Sequence, residues 1–162
     1  MTTAAARRPT RQAGGKRFGR ILHASDFSPA SRRAFDDAIG LAKANGAELV
    51  VIHVLEPVIP WSEDAYVSPQ AYDQLLTSAR SAAAKRLDAL VQKAKAAGVR
   101  VAGQLVEGNP RDAIPRAAKR SHADLVVVGT HGRTGLGKLL LGSVAERIVA
   151  TAPCPVLTVR GR

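Results

Sequence analysis

One hundred and sixty-two residues make one domain, with enough chain to close a sizeable core. Hydrophobic residues at 46% and charged residues at 23% exclude a disordered or collagen-like chain, and no run approaches the roughly 18 apolar residues that span a bilayer. The net charge of +11 points to an anionic partner, yet six of the cations (Arg7, Arg8, Arg11, Lys16, Arg17 and Arg20) lie in the first twenty residues, which hold no acid.

Residues 1–18 therefore read as a basic, disordered tail ahead of a single domain at 19–162. Met1 to about Gly19 shows no hydrophobic periodicity and is broken by Pro9, Gly14 and Gly15. A secretory signal lacks its apolar region here, and a mitochondrial presequence lacks serine and a strong apolar face. Nonspecific nucleic-acid contact is the fallback reading of the tail, weakened by its single aromatic, Phe18. The lone cysteine, Cys154, cannot form an internal disulfide or a cysteine zinc site, which points to a reducing cytoplasm. Set between Pro153 and Pro155, it reads as a small buried hydrophobe.

From Arg20 short apolar runs alternate with amphipathic stretches. Arg20 to Ala24 reads as a first strand. It ends at Ser25-Asp26-Phe27-Ser28-Pro29, where Ser28 caps a helix and Pro29 takes its first position. Ala34, Phe35, Ala38, Ile39, Leu41 and Ala42 recur at helical spacing until Asn45-Gly46 stops them. Glu48 to Leu55 is a second strand, continuously apolar at its core as expected when both faces are covered. Residues 56 to 69, with Trp61 and Tyr66, form a long loop, in which Trp61 covers the upper edge of the sheet or the loop serves as a lid or a dimer surface. A helix of about 28 residues runs from Gln70 to Ala97, and Val99 to Val106 is a third strand. Asn109 caps a helix opened by Pro110 and reaching about Ser121, bent or shortened by Pro115. Leu125 to Val128, Val144 to Ala150 and Val156 to Val159 complete the series as strand, helix and strand. Five strands separated by four helices mean an open parallel sheet with helices on both faces, a Rossmann-like α/β fold.

Ligands of such sheets bind beyond the carboxyl ends of the strands, where strand order reverses. The loop after strand four runs from Gly129 to Ser143 and carries five glycines before the helix at Val144. Gly129 and Gly132 let backbone N–H groups approach an anion, the helix start at Gly142-Ser143 favours phosphate, and Arg133 and Lys138 add cations. A structural alternative stands beside this: Ser143-Val-Ala-Glu146 matches a capping box. Gly132 to Lys138 nearly spells a P-loop, but Leu139 stands where Mg²⁺ needs Ser or Thr. Leu140 likewise breaks a dinucleotide glycine pattern. His23 and His53 read as satisfied core histidines, whereas His131 lies inside the glycine loop. No second His or Cys stands at ligand spacing, which argues against a transition-metal site built by the protein.

Gly129-x2-Gly132-x9-Gly142-Ser143 resembles the ATP-binding signature of the universal stress protein family. The opening Ile-Leu-His-Ala-Ser-Asp-Phe-Ser, the His53-Val54 pair and the closing Cys154-Pro-Val-Leu-Thr-Val also fit, so that the resemblance covers about residues 17 to 160. It implies an adenine nucleotide alpha hydrolase-like sheet of order 3-2-1-4-5. It further implies ATP with Mg²⁺ as ligand, Ala24, Ser25 and Asp26 on the adenine and ribose side, and Val54 meeting adenine through its backbone. Gly129, Gly132, Gly142, Ser143 and Val144 would surround ribose and phosphates, with Arg133 where a basic residue often occurs; apart from the resemblance, His131 inside the loop is free to reach a phosphate or ribose. A carboxylate repels triphosphate, so Asp26 should face the nucleoside or hold Mg²⁺. A homodimer through Val156 to Val159 is implied as well.

The function expected is that of a cytoplasmic, dimeric, nucleotide-sensing stress factor with no membrane partner. No paired carboxylates or nucleophile elbow points to catalysis. Two alternatives remain, a slow ATPase using the same loop and a nucleotide-independent interaction module.

Overall fold

The computed structural model describes residues 18–57, 68–130 and 141–160. Among them β1 (Arg20–Ala24), α1 (Pro29–Asn45), β2 (Glu48–Leu55), α2 (Pro69–Ala96) and β3 (Val101–Glu107) lead into α3 (Pro110–Arg120), β4 (Leu125–Gly129), α4 (Ser143–Thr151) and β5 (Val156–Val159). The strands form one sheet in the order β3-β2-β1-β4-β5, with every pair parallel. Both the alternation read from the sequence and the order implied by the resemblance are found.

Successive strand residues face opposite sides, so each apolar strand feeds two cores. Ile21, Leu49, Val51, Leu125 and Val127 pack under α1 and α2 with Phe35. Leu22, Val50, Ile52, Val126 and Val128 pack on the other face with Ile114 and Ile148 of α3 and α4. Covering both faces explains why the inner strands are apolar without alternation. Helix α2 buries only its second half, at Ala83, Leu87, Val91 and Ala94. It lies so close to β3 that a Cβ on Gly103 would meet Val91 Cγ2 at 2.9 Å.

The turn chemistry follows the sequence at three places. Ser28 accepts from Ser31 N–H at 3.2 Å, Asn109 accepts from Arg111 N–H at 2.9 Å, and Gly46 ends α1 in the left-handed region with φ 63°. Other expectations are corrected. Val99 does not start β3; its N–H closes the end of α2 on the Ala94 carbonyl, so pairing begins later. The placing of Pro115 inside α3 is found as read, the helix reaching Arg120. Phe18, placed in the tail by its sequence context, packs against the core and donates its N–H to Asn45 Oδ1 at 3.2 Å. Cys154 is half-buried at the margin of the second core rather than inside it. The tail itself and the loop with Trp61 and Tyr66 lie outside the described residues. No described helix is long and apolar enough to cross a membrane.

Candidate functional site

Strands β1 and β4 are adjacent, while the helices that follow them lie on opposite faces. The chain therefore diverges at their carboxyl ends, and a cleft of about 770 Å³ opens there. Ala24, Ser25, Asp26, Val54, Gly129, Gly142, Ser143 and Val144 all line it. His131, Gly132 and Arg133 lie outside the described residues, as does Lys138.

The β4 side is built for close approach. A Cβ at Gly129 would lie 3.1 Å from both Ala30 C and Ser31 N, tighter than ordinary contact, so glycine lets the end of β4 meet the start of α1 without displacing it. Thr130 N–H continues the ladder to the Val159 carbonyl, and its own carbonyl accepts from Gly142 N–H at 2.7 Å. That bond draws the two ends of the glycine segment together and delivers the chain directly into α4. The capping box does not form: Gly142 is the N-cap, Ser143 is already the first helical residue, and no side chain caps α4. Glycine cannot supply a hydroxyl, and the shift by one residue moves Glu146 out of reach of its box position. The first turn of α4 thus opens on the cleft with its N–H groups and partial positive charge.

The β1 side is held by a compact hydrogen-bond system. Ser25 N–H donates to the Ile52 carbonyl at 2.9 Å, and its hydroxyl oxygen accepts from Phe27 N–H at 3.2 Å and Ser31 Oγ at 2.9 Å. Asp26 Oδ1 accepts from Ser28 N–H at 3.0 Å, so the carboxylate braces the turn into α1 while lining the cleft. Phe27 sits between them with a φ of 64°, an uncommon conformation for an aromatic residue. Its ring lies 4.3 Å from that of His53, and the Arg86 guanidinium lies 4.3 Å from the same ring centre. Nδ1 of His53 donates to the Ser25 carbonyl at 2.7 Å, which fixes the proton on that nitrogen because a carbonyl only accepts.

His53 is therefore a buried and bonded histidine, as its sequence position predicts, but it also forms part of the cleft wall. His23 departs from that expectation. Its Nδ1 bonds the Val127 carbonyl at 3.0 Å, while Nε2 finds no partner among the described residues. Complete burial pushes its pKa down to about 4, against the raising effect of the Val127 carbonyl bond. Phe27, Arg86 and the α2 alanines at 79, 82 and 83 also line the cleft, and the sequence pointed to none of them. The docking of α2 brings Arg86 and the alanines there, and Phe27 comes with the turn after β1.

The sequence pattern of the Universal stress protein family matches residues 17–160. A universal stress protein of Thermus aquaticus is 39% identical over 149 residues, covering 88% of this chain and 99% of that one. Among solved structures, UspA of Lactobacillus plantarum superimposes with a TM-score of 0.74 at 27% identity, covering 89% of this chain and 99% of that one. A universal stress protein crystallised in complex with cAMP gives a TM-score of 0.63 at 27% identity, with 90% and 99% covered. Family pattern, relatives and sheet order agree along nearly the whole folded chain: it belongs to the universal stress protein family.

Proposed function

We propose that the cleft binds an adenine nucleotide, in the first place ATP with Mg²⁺, and that the protein is a dimeric, cytoplasmic nucleotide-sensing stress-response factor without a dedicated catalytic apparatus. The observation that carries this reading is the Gly129–Gly142 arrangement. A strand end where a Cβ would crowd the backbone of α1 is tied by one backbone bond to a helix start without a side-chain cap, which leaves amides at the cleft. Such a cradle suits phosphate oxygens. A similar protein with cAMP bound supports an adenine ligand.

In this reading Ala24, Ser25, Asp26 and Val54 hold the nucleoside, and Gly129, His131, Gly132, Arg133, Gly142, Ser143 and Val144 hold ribose and phosphates. Among the described residues no three His, Cys, Asp or Glu side chains gather as a metal site. Mg²⁺ would arrive on the triphosphate, with Asp26 a carboxylate candidate for it. Strand β5 is one of the two edges of the sheet, and Leu157 on it and Val149 on α4 are exposed apolar side chains, which favours self-association there. Residues 1–17 are read as a basic extension of the folded domain.

Displacement of a fluorescent ATP analogue from the purified protein tests the binding. Competition by ATP below millimolar concentration is expected, and no competition at millimolar ATP rejects the reading. Light scattering of wild type and Leu157→Asp tests the dimer: wild type should elute at twice the monomer mass and the variant as a monomer.

A further inference from the structure

Strand β3 is the other edge of the sheet, bonded only to β2 among the described residues. Leu49 N–H donates to the Arg100 carbonyl at 2.8 Å and Gly108 N–H to the Leu55 carbonyl at 3.0 Å. Between them the register runs unbroken, from Leu49 opposite Val101 to Leu55 opposite Glu107. Bonded residues alternate along a parallel ladder, so the N–H and C=O groups of Val101, Gly103, Leu105 and Glu107 point away from β2. Natural edges are blunted by charge, proline or shortness. Strand β3 is seven residues long, residues 101–106 hold neither a charge nor a proline, and Ala102 and Gly103 are exposed in mid-strand. The opposite edge, β5, has four residues and follows Pro153 and Pro155.

The two faces beside this edge differ. Helix α2 covers one: Val101 and Leu105 pack against the first core, and Val91 lies over Gly103. On the other face α3 gathers its buried alanines with Val50 and Ile52 of β2. Beside β3 it leaves a hollow of about 470 Å³, lined by residues 103–106, Ala117, Arg120 and Ser121. The hollow shares no lining residue with the cleft beyond the strand ends. Arg120 is exposed and in no ion pair among the described residues, whereas Glu107, the one acid of β3, pairs with Arg80. The hollow and its edge therefore carry an uncompensated cation.

We propose that β3 takes up an extended acidic segment of another protein as a sixth strand, with Arg120 pairing its carboxylates. The outward peptide groups supply affinity through the backbone, and the side chains of the added strand alternate between the two faces. Those on the α2 side extend the apolar surface begun by Val101 and Leu105. Those on the α3 side enter the hollow, where Arg120 favours carboxylates. A second copy of this chain fits less well. Pairing β3 with itself about a two-fold axis sets both Arg120 side chains on one face of the joined sheet, and a chain of net charge +11 repels its copy.

The test is fluorescence anisotropy of the full-length protein with a labelled heptapeptide alternating glutamate and valine, long enough to match β3. Saturable binding below millimolar concentration is expected, and the same peptide with lysine in place of glutamate should not bind. Arg120→Gln should weaken binding about tenfold. Arg32→Gln, which removes an exposed cation of α1, should not change it. Two further peptides carry N-methyl groups on the valines alone or on the glutamates alone. Only alternate amides of an added strand face β3, so one of these two should lose binding and the other keep it. The inference is overturned if the peptide does not bind at millimolar concentration, if the lysine peptide binds as well, or if both methylated peptides behave alike. Binding by Arg120→Gln equal to wild type overturns it too. So does light scattering that shows the peptide splitting a wild-type oligomer, which would put a second copy on the edge. Binding only after removal of residues 1–17 would put that segment there and overturn it equally.

Discussion

Gly129 and Ser31 meet so closely that a Cβ on the glycine would lie 3.1 Å from the serine's backbone nitrogen. The end of β4 and the start of α1 are thereby packed backbone to backbone at the floor of the cleft. Gly129→Ala must push one of them away. We expect a loss of about 1–3 kcal/mol in unfolding free energy, the usual cost of overpacking, and a fall in nucleotide affinity larger than tenfold. Urea denaturation and calorimetry check the two effects. Unchanged stability would mean that the contact relaxes freely.

Ser143 separates a structural from a functional role. Because Gly142 is the N-cap, the Ser143 hydroxyl does not cap α4. Ser143→Ala should therefore leave thermal stability within about 0.5 kcal/mol, well short of the roughly 1 kcal/mol that loss of a true serine cap costs. Nucleotide affinity should fall several-fold. A stability loss above 1 kcal/mol would restore the capping interpretation.

Asp26 is expected to act through its charge as well as its brace. Asp26→Asn keeps an oxygen that can accept from Ser28 N–H, whereas Asp26→Ala removes it. Both should weaken binding several-fold by calorimetry, but only Asp26→Ala should destabilise the start of α1. Equal affinity in all three proteins would remove Asp26 from the site.

His23 makes stability depend on pH. Its folded pKa is pushed down to about 4 from 6.5, so between those values the unfolded chain binds more protons than the native one. Stability contributed by the neutral ring is complete above pH 6.5 and is lost as pH falls towards 4, by about 3 kcal/mol in all. Denaturation midpoints should drop from pH 7 to pH 5 in the wild type and drop less in His23→Leu. Identical slopes in the two proteins would show that other groups carry the dependence.

Most of the architecture is legible in the residues. Ser28-Pro29, Asn109-Pro110 and Asn45-Gly46 are local signals whose chemistry acts within a few residues, and each marks a helix end as read. Continuous apolar strands report two-sided burial in the same way. The placing of Gly129 at a strand end and Gly142 at a helix start is legible too, because each meets a backbone requirement, while Gly132 lies outside the described residues. What escapes are relations between distant segments. Arg86 reaches Phe27 only because α2 docks across β2 and β3, and Phe27's positive φ follows from a turn that no residue type announces. Among the described residues His23 Nε2 finds no partner, because the core around it is apolar, which a one-strand reading does not reveal. Ser143 shows the same limit at short range. The motif Ser-x-x-Glu is present, but the Thr130–Gly142 bond starts the helix one residue early.

The most direct measurement is titration of nucleotide-free protein with ATP and Mg²⁺ in a calorimeter, beside Gly142→Val, whose side chain would crowd the amides at the head of α4. The account predicts saturable heat with one site per chain in the wild type and at least a tenfold loss in the variant, both proteins melting cooperatively. No heat in the wild type, or equal binding by a folded variant, would contradict it.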